Sequence, residues 1–343
     1  MRRAPAIITL VVLAPAIAEL SIGDLPFDLT GLVSLLFLVP IYGAGAVLVR
    51  ELVRRRGRGW PSILLLGAAY GLVEEGIGLQ SLFSPTIYHG IGPAWGARLL
   101  GLNGAYTEFQ LVNHAIWSIA LPILFTDLIF PARRRQPLLG KAGLVVTSLV
   151  YLLGVGATAL SRLTIDPGYA APLAALGGVL VVVVALGVLA LGVLPGVGDA
   201  SDGDGPVPAP WTLLMTGLVG GFGCLGFIYI PGHAHLAFMR TPVVAIPMAA
   251  ALAVAVVGLV LSRRWAARRT WSDAHALGLG AGLTVGHALI GVLFQPKTWP
   301  DHLGAGVVLL IGVLLLWVLA MRVRARCRTT TERGLDAAGR RPS

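Results

Sequence analysis

Two adjacent glutamates, Glu74 and Glu75, interrupt an apolar run in the stretch GAAYGLVEEGIGLQSLF, residues 67–83. If this run crosses a membrane, each charged side chain costs about 2.5–3.5 kcal/mol on insertion scales, so the pair is a candidate for function. Desolvation and mutual repulsion prevent two neighbouring buried carboxylates from both ionising cheaply. The pair would then present a protonated acid beside an ionised base, which is what general acid/base catalysis requires.

The two glutamates need not share a neighbour. Gly67, Gly71 and Glu75 lie one helical turn apart, so Glu75 continues a face of small residues where another helix can approach closely. An α-helix rotates Glu74 away from Glu75 by about 100°. Glu74 therefore need not share the partner of Glu75.

Titratable side chains in other apolar segments fall at a similar depth. With about 1.5 Å of rise per residue, counting from the predicted segment ends places them about 20–22 Å from the cytoplasmic face of a core about 30 Å thick. The residues at this level are Glu19, Glu75, His114 and His287. The shared level predicts one outer-leaflet site, with Glu74, Glu75, His114 and His287 as its catalytic residues. For Glu19, a side chain that reaches interfacial water is an equal alternative.

Further polar residues are predicted to line a pocket around this site. In the segment EFQLVNHAIWSIALPILFTD, residues 108–127, Gln110, His114 and Ser118 form one i, i+4 stripe. Pro122 then removes a backbone donor, and a kinked helix with a polar stripe is what a water-filled pocket needs. The predicted pocket residues are Glu19, Gln80, Gln110, Asn113 and Ser118.

The composition assigns the chain to the integral membrane proteins. Of its 343 residues, 56% are hydrophobic and 12% are charged, whereas soluble domains carry about 25% charged residues. Apolar segments of about 20 residues recur between Arg clusters and Gly/Pro turns, which predicts transmembrane helices. We predict an all-α bundle of about ten spans, at roughly 5–22, 31–50, 61–80, 109–130, 142–161, 172–194, 211–230, 243–262, 274–294 and 303–322.

The basic residues predict the orientation of the bundle. With both termini in the cytoplasm, only Arg98, Arg162, Arg240 and Lys297 fall outside, so 22 of the 26 Lys and Arg residues are cytoplasmic. This positive-inside asymmetry explains the net charge of +10 without a nucleic-acid partner. The predicted location is a bacterial-type plasma membrane, and the predicted partners are its lipids. The sequence predicts no oligomeric state.

The chain divides at a polar linker. Residues 1–195 hold the first six predicted helices and the Glu/His site, and 211–322 hold the last four. Between them, GVGDASDGDGPVPAP (196–210) is predicted to be a cytoplasmic tether. Residues 323–343 are predicted to be a disordered basic tail. Residues 1–18 also have the features of a cleavable signal peptide, but the charge pattern and the even span count favour their retention as helix 1.

The longest predicted outer connection directly follows the glutamate pair. Residues 81–108 are rich in glycine and aromatic residues and are too long for a simple turn. The segment also leads into the helix that carries His114. Its residues fit either a lid over the site or a loop that rests on the lipid interface.

Regularly spaced glycines predict close helix packing in the second half. Gly278, Gly282 and Gly286 recur every four residues in one segment, and Gly217 and Gly221 do so in another. Such spacing lets helix backbones approach closely in lipid. The pattern predicts a compact bundle and no chemistry.

The order of the polar motifs resembles that of the CPBP (CAAX-protease/abortive-infection) family of glutamate-dependent intramembrane proteases. That family has EExxxR, then FxxxH, then HxxxN or HxxxD. The corresponding residues here are Glu74 and Glu75 with Leu79 in the arginine position, Phe109 with His114, which are one residue farther apart than in that family, and His287 with Gly291 in the asparagine position. The resemblance implies a membrane-embedded hydrolase in which Glu74 or Glu75 activates water, assisted by His114 and His287.

Two further interpretations of the site remain open. A proton-coupled transporter would also use a protonatable pair at a gated cavity, although the second half has no counterpart to Glu74 and Glu75. The substrate would be a membrane peptide or a small molecule in either case. No cofactor is predicted; the alternatives are a haem between His114 and His287, or a divalent metal held there.

Overall fold

The computed structural model of the chain describes residues 3–90, 94–196, 205–295 and 298–339. Within these ranges the fold is helical, except for two short antiparallel strands, β1 (Arg98–Leu99) and β2 (Leu102–Asn103). The α-helices are, in chain order, α1 (Ala4–Pro15), α2 (Leu29–Arg55), α3 (Trp60–Gly71), α4 (Gly104–Asn113), α5 (Leu121–Ile129), α6 (Lys141–Ile165), α7 (Leu173–Val188), α8 (Pro210–His233), α9 (Ala245–Ala266), α10 (Asp273–Phe294) and α11 (Trp299–Gly339).

Several helices change their hydrogen-bond pattern before they end. α1, α3, α4 and α7 continue as π-helices, at Ala16–Leu20, Leu72–Gly78, His114–Ala120 and Leu189–Val193 respectively. The third of these joins α4 to α5, so that Gly104–Ile129 is one continuous helix. Short 3₁₀ turns lie at Ile87–Gly90, Pro131–Arg133, Ala237–Arg240 and Pro242–Val244.

The all-helical membrane architecture predicted from the sequence is confirmed. In the described residues, eight helical segments are long and apolar enough to cross a membrane: Leu29–Arg55, Gly104–Ile129, Lys141–Ile165, Leu173–Val193, Pro210–His233, Pro242–Ala266, Asp273–Phe294 and Trp299–Arg326. The other two predicted spans correspond to Ala4–Leu20, which is apolar but shorter, and to 60–78, which contains the glutamate pair. The count of ten and the orientation stay predictions.

Glycine brings the backbones of α8 and α10 into contact. A β-carbon at Gly282 would lie 2.0 Å from the carbonyl oxygen of Leu214, and one at Gly217 would lie 2.3 Å from that of Leu279. Only a residue without a side chain fits at such distances. The packing role predicted for the glycine pattern is therefore confirmed, and it extends to Gly221, Gly278 and Gly286.

The connection between α3 and α4 is fastened to the bundle at both of its ends. Ser84 and Thr86 both donate hydrogen bonds to the carboxylate of Asp166 at the end of α6, the second over 2.7 Å. Farther along, the backbone N–H of Ala97 donates to the carbonyl of Met239, over 2.8 Å. These contacts hold the connection close to the end of the helices that carry the glutamates.

A buried ion network fixes the opposite end of the bundle. Arg50 of α2 donates to Asp127 of α5 through Nε at 3.1 Å and a terminal nitrogen at 2.9 Å, and Arg54 donates to the same carboxylate at 2.9 Å. Glu51 accepts from the backbone N–H groups of Leu138 and the next residue. Because Arg50, Glu51 and Asp127 are all buried, loss of one partner would leave an uncompensated charge.

The chain ends differ from the sequence prediction. Residues 323–339, predicted to be disordered, continue the helix of α11. The segment lacks proline and contains several arginines and alanines, which are good helix formers. The rest of the predicted tail, 340–343, and most of the predicted linker, 197–204, lie outside the described residues.

The glycine contact between α8 and α10 can be tested with a matched pair of variants. We expect Gly282→Ala to destabilise the protein by about 1–3 kcal/mol, because the added carbon overlaps the backbone of α8. Gly220→Ala in α8 meets nothing within 4 Å and should be neutral or slightly stabilising. Reversible unfolding in mixed micelles measures both; equal stability of the two variants would contradict the packing described.

Candidate functional site

The imidazole of His114 lies between the two adjacent glutamates. Its Nε2 is 3.2 Å from Oε1 of Glu75, and its Nδ1 is 3.6 Å from Oε2 of Glu74. We call these three residues the Glu–His cluster. His114 is only 1% exposed, Glu75 4% and Glu74 2%. The carboxyl groups of both glutamates thus lie within or close to hydrogen-bond reach of the imidazole, where the sequence predicted them.

A π-helical segment directs both glutamates toward the same histidine. Glu74 and Glu75 lie in Leu72–Gly78, where each turn holds more residues than an α-helical turn. Consecutive side chains are then separated by a smaller angle than in an α-helix. Glu74 therefore lies near the same histidine as Glu75, a possibility that an α-helical rotation of about 100° had left open.

Three of the π-helical segments meet at the site. Ala16–Leu20 carries Glu19, Leu72–Gly78 carries the glutamate pair, and His114–Ala120 carries His114 and Ser118. The last of these ends two residues before Pro122, which cannot donate an α-helical hydrogen bond. Such segments recur at functional sites, so their coincidence here supports a function independently of the residue types.

Small residues let α3 lie directly against the helix that carries His114. A β-carbon at Gly67 would lie 2.7 Å from Cα of Ala115, and one at Gly71 would lie 3.0 Å from Cβ of His114. Both positions therefore favour glycine because of the close approach. The predicted face of Gly67, Gly71 and Glu75 is the contact surface between the two helices.

Glu75 accepts several hydrogen bonds. Gln110 donates to Oε1 over 2.9 Å, Ser81 donates to Oε2, and the hydroxyl of Tyr106 lies 3.5 Å from Oε2. Ser118 completes the predicted polar stripe, with Oγ 2.9 Å from Nδ1 of His114. Hydrogen bonds to a carboxylate favour its charged form. Glu75 is therefore the better candidate for the base.

Glu74 has a different environment from its neighbour. Its Oε2 is buried and has no hydrogen-bond partner among the described residues, and the same holds for the hydroxyl of Tyr70 beside it. Aromatic rings surround this part of the site: the centroid of Tyr70 is 5.5 Å from that of His114, and Tyr42 is 6.0 Å from it. An oxygen in such apolar surroundings suits a protonated carboxylic acid.

Glu19 joins the site through a tyrosine. The hydroxyl of Tyr42 donates a short hydrogen bond to Oε1 of Glu19, and the carboxylate lies within electrostatic range of Glu74 and His114. A side chain bonded inside the bundle in this way is not extended toward interfacial water. Of the two interpretations of Glu19, the contacts support the pocket.

His287 does not join the glutamates, contrary to the prediction. Its Nδ1 is 2.6 Å from Oγ of Ser21, its Nε2 is 3.1 Å from Oδ1 of Asn113, and its ring stacks on Trp117 at a centroid distance of 4.8 Å. The prediction used depth alone, and residues at one level can still face different sides of a bundle. His287 instead connects α10 to the end of the α1 helix and to α4.

Gly291, which stands in the asparagine position of the resembling motif, has a packing role. A β-carbon at Gly291 would lie 1.9 Å from the carbonyl oxygen of Ile22. An asparagine in this position would displace the end of the α1 helix. His287 and Gly291 together hold that end, and with it the π-helical segment of Glu19.

Two of the five predicted pocket residues lie elsewhere. Gln80 has a left-handed backbone, with φ of 57°, and its Oε1 accepts from the N–H of Ala171 over 2.8 Å. It therefore anchors the connection between α6 and α7. Asn113 bonds His287 because it is adjacent to His114 and so points to another side of the helix. Glu19, Gln110 and Ser118 contact the site as predicted.

The ring nitrogens of both histidines already have protein partners. Ser118 and Glu75 occupy those of His114, and Ser21 and Asn113 occupy those of His287. In this arrangement neither ring directs a free lone pair at a haem iron. Among the described residues, no group of three or more His, Cys, Asp and Glu side chains is placed to hold a metal ion.

Sequence analysis missed the hydroxyl groups of the site. Tyr42, Tyr70, Tyr106 and Ser81 all contact or adjoin the Glu–His cluster. A signal existed, because Tyr42 and Tyr70 lie inside apolar segments rather than at their ends, where tyrosine usually contacts headgroups. A phenol in that position needs a polar partner.

Fold and site together define a helical integral membrane protein with a buried polar centre. The chain belongs to an uncharacterized membrane protein family, whose model matches residues 8–333. No curated protein and no solved structure matches it. Its function must therefore be argued from the contacts of the site.

The contrast between the two glutamates predicts unequal effects on stability. Glu75→Leu removes the carboxylate to which Ser81, Gln110 and His114 are bonded, whereas Glu74→Leu removes an oxygen that lacks a hydrogen bond. We expect Glu75→Leu to lower the free energy of unfolding by about 1–3 kcal/mol more than Glu74→Leu does. Unfolding of both variants in the same micelles tests this, and a larger loss for Glu74→Leu would refute the assignment.

Proposed function

We propose that the protein is a membrane-embedded hydrolase in which Glu75 and His114 activate water. The observation that carries the proposal is the distance of 3.2 Å between Glu75 Oε1 and His114 Nε2, in a site almost closed to solvent. A base held against an imidazole, with the carboxyl group of Glu74 3.6 Å from the other ring nitrogen, supplies what hydrolysis needs. The predicted setting is the outer leaflet of a bacterial-type plasma membrane.

The residues have separate roles in the proposed reaction. Glu75 takes a proton from water, and the oxygen of that water attacks the carbonyl carbon of an amide or ester. His114 orients the water and takes over the proton. Glu74, as a carboxylic acid, gives its proton to the leaving group when the bond to the carbonyl carbon breaks, and the proton on His114 then restores it. The net change is the addition of one water molecule.

Tyr70 is the best candidate for the group that stabilises the oxyanion. Its buried hydroxyl has no hydrogen-bond partner among the described residues and lies beside Glu74. A preorganised donor is worth most in a site of low polarity, where it needs no reorganisation during the reaction. The tyrosine supplies the assistance that the resemblance had assigned to His287.

The resemblance to the CPBP proteases supports the reaction class through part of its pattern. The glutamate pair and His114 have the contacts that the resemblance implies. Leu79 and Gly291 pack in apolar or backbone surroundings where that family has polar residues. We therefore keep the hydrolase class and propose a membrane-embedded peptide or a small amide or ester as the substrate.

A proton-coupled transporter is the second candidate. The observation that favours it is the series of titratable groups on α1, α2, α3 and α4, from Glu19 through Tyr42 to the Glu–His cluster. Transporters carry protons on such groups near the middle of the membrane. The second half of the chain contributes no comparable carboxylate to the site.

One substitution separates the two candidates. In proteoliposomes that contain a fluorophore- and quencher-labelled transmembrane peptide, we expect Glu75→Gln to slow cleavage by about 100-fold or more, since a general base contributes at least that factor. Proton flux is recorded in the same vesicles with an internal pH dye.

The matched control is Glu108→Gln, which removes another partly buried carboxylate from α4, outside the site. It should leave cleavage unchanged. Cleavage that persists in Glu75→Gln would refute the hydrolase proposal. Proton flux that is lost in Glu75→Gln, without peptide cleavage by the wild type, would establish the transporter.

A further inference from the structure

We propose that Tyr42 and Glu19 form a proton path between the Glu–His cluster and the exposed Asp24 at the outer end of the α1 helix. The inference rests on the proposed function only in that a hydrolase needs such a path: a buried acid and base must exchange protons with solvent in each turnover. Its existence can be tested without a substrate. Neither glutamate of the cluster can exchange directly, since both are almost completely buried.

The first link is the hydroxyl of Tyr42. It donates to Oε1 of Glu19 and also lies beside the carboxyl group of Glu74. A phenol hydroxyl both donates and accepts, so it can take a proton from one carboxyl group as it gives its own to the other. Tyr42 is buried, which keeps this link inside the protein.

The second link is the turn that follows Glu19. The backbone N–H groups of Gly23 and Asp24 both bond the carbonyl oxygen of Glu19, at 3.0 and 3.1 Å. This folds the chain back over the end of the helix. Asp24 is exposed and is the charged residue that acts most strongly on Glu19. The turn therefore places a solvent-exposed carboxylate within electrostatic range of Glu19.

The π-helical segment of α1 explains why Glu19 can serve both links. It turns the Glu19 side chain inward to Tyr42 although the residue is close to the end of the helix. His287 and Gly291 hold that end in place through Ser21 and Ile22. The second half of the chain thus fixes the geometry of the path without entering it.

The opposite flank of the cluster offers a poorer route. Oε1 of Glu75 accepts from the amide of Gln110, and an amide does not pass protons on at ordinary pH. The remaining way leads through Tyr106, 3.5 Å from Oε2, toward Tyr88, which is 39% exposed and lies within electrostatic range of Glu75. Desolvation and the charge of Glu75 raise the pKa of Tyr88, which further disfavours proton release there.

The experiment follows hydrogen–deuterium exchange of the Glu74 carboxylic acid by infrared spectroscopy of the whole protein in lipid nanodiscs. The band is identified by its loss in Glu74→Gln, at a pH low enough to protonate it. We expect Tyr42→Phe to slow the exchange about tenfold or more, equivalent to about 1.4 kcal/mol in the barrier. Glu19→Gln should slow it as well, because an amide replaces the carboxyl group.

Two further variants control for local disturbance and for the other route. Tyr151→Phe removes another hydroxyl near the site, from a ring whose centroid is 6.1 Å from that of Tyr70, and should leave the rate unchanged, as should Tyr88→Phe. Exchange that is as fast in Tyr42→Phe as in the wild type, or that slows only in Tyr88→Phe, would overturn the proposal. Peptide cleavage is not part of this measurement, so a failure of the path and a failure of the hydrolase remain distinguishable.

Discussion

Three carboxyl groups, those of Glu19, Glu74 and Glu75, share one imidazole within a bundle whose other contacts are mostly apolar. No lysine or arginine of the described residues forms an ion pair with them. A buried carboxyl group without a cation is tolerable only if protons and hydrogen bonds compensate for the lost water. The close helix contacts at Gly67 and Gly71, the π-helical segments and the inward tyrosines all bring such partners within reach. The packing of the first half therefore supplies the hydrogen-bond partners that these carboxyl groups require.

The second half contributes in a different way. The backbones of α8 and α10 are in direct contact, and α10 uses His287 and Gly291 to hold the C-terminal end of the α1 helix. That end carries Glu19. A polar residue in an apolar helix thus has a packing role in one case, His287, and in the other, His114, the chemical role that we propose. The two histidines differ in their neighbours. His287 contacts a serine and an asparagine, whereas His114 lies between two carboxyl groups.

Sequence reasoning was sound where a single helix sets the geometry. The stripe of Gln110, His114 and Ser118 follows from α-helical spacing, and the glycine face before Glu75 follows from the same rule. It did not give the direction of a side chain where the backbone departs from α-helical geometry. The π-helical turn brings Glu74 to His114, and the left-handed backbone of Gln80 turns its side chain to the α6–α7 connection. Neither deviation has a reliable signature in the residue types alone.

The sequence by itself determined the helical membrane class, the apolar segments and the glycine contacts, because these depend on local composition and on spacing along one helix. The depth of each polar residue stays a prediction. The side of the bundle that each polar residue faces was decided only by the tertiary structure. Depth is a property of one segment, whereas direction depends on how each helix is rotated against its neighbours. That rotation unites Glu19, Glu74, Glu75 and His114 and keeps His287 apart.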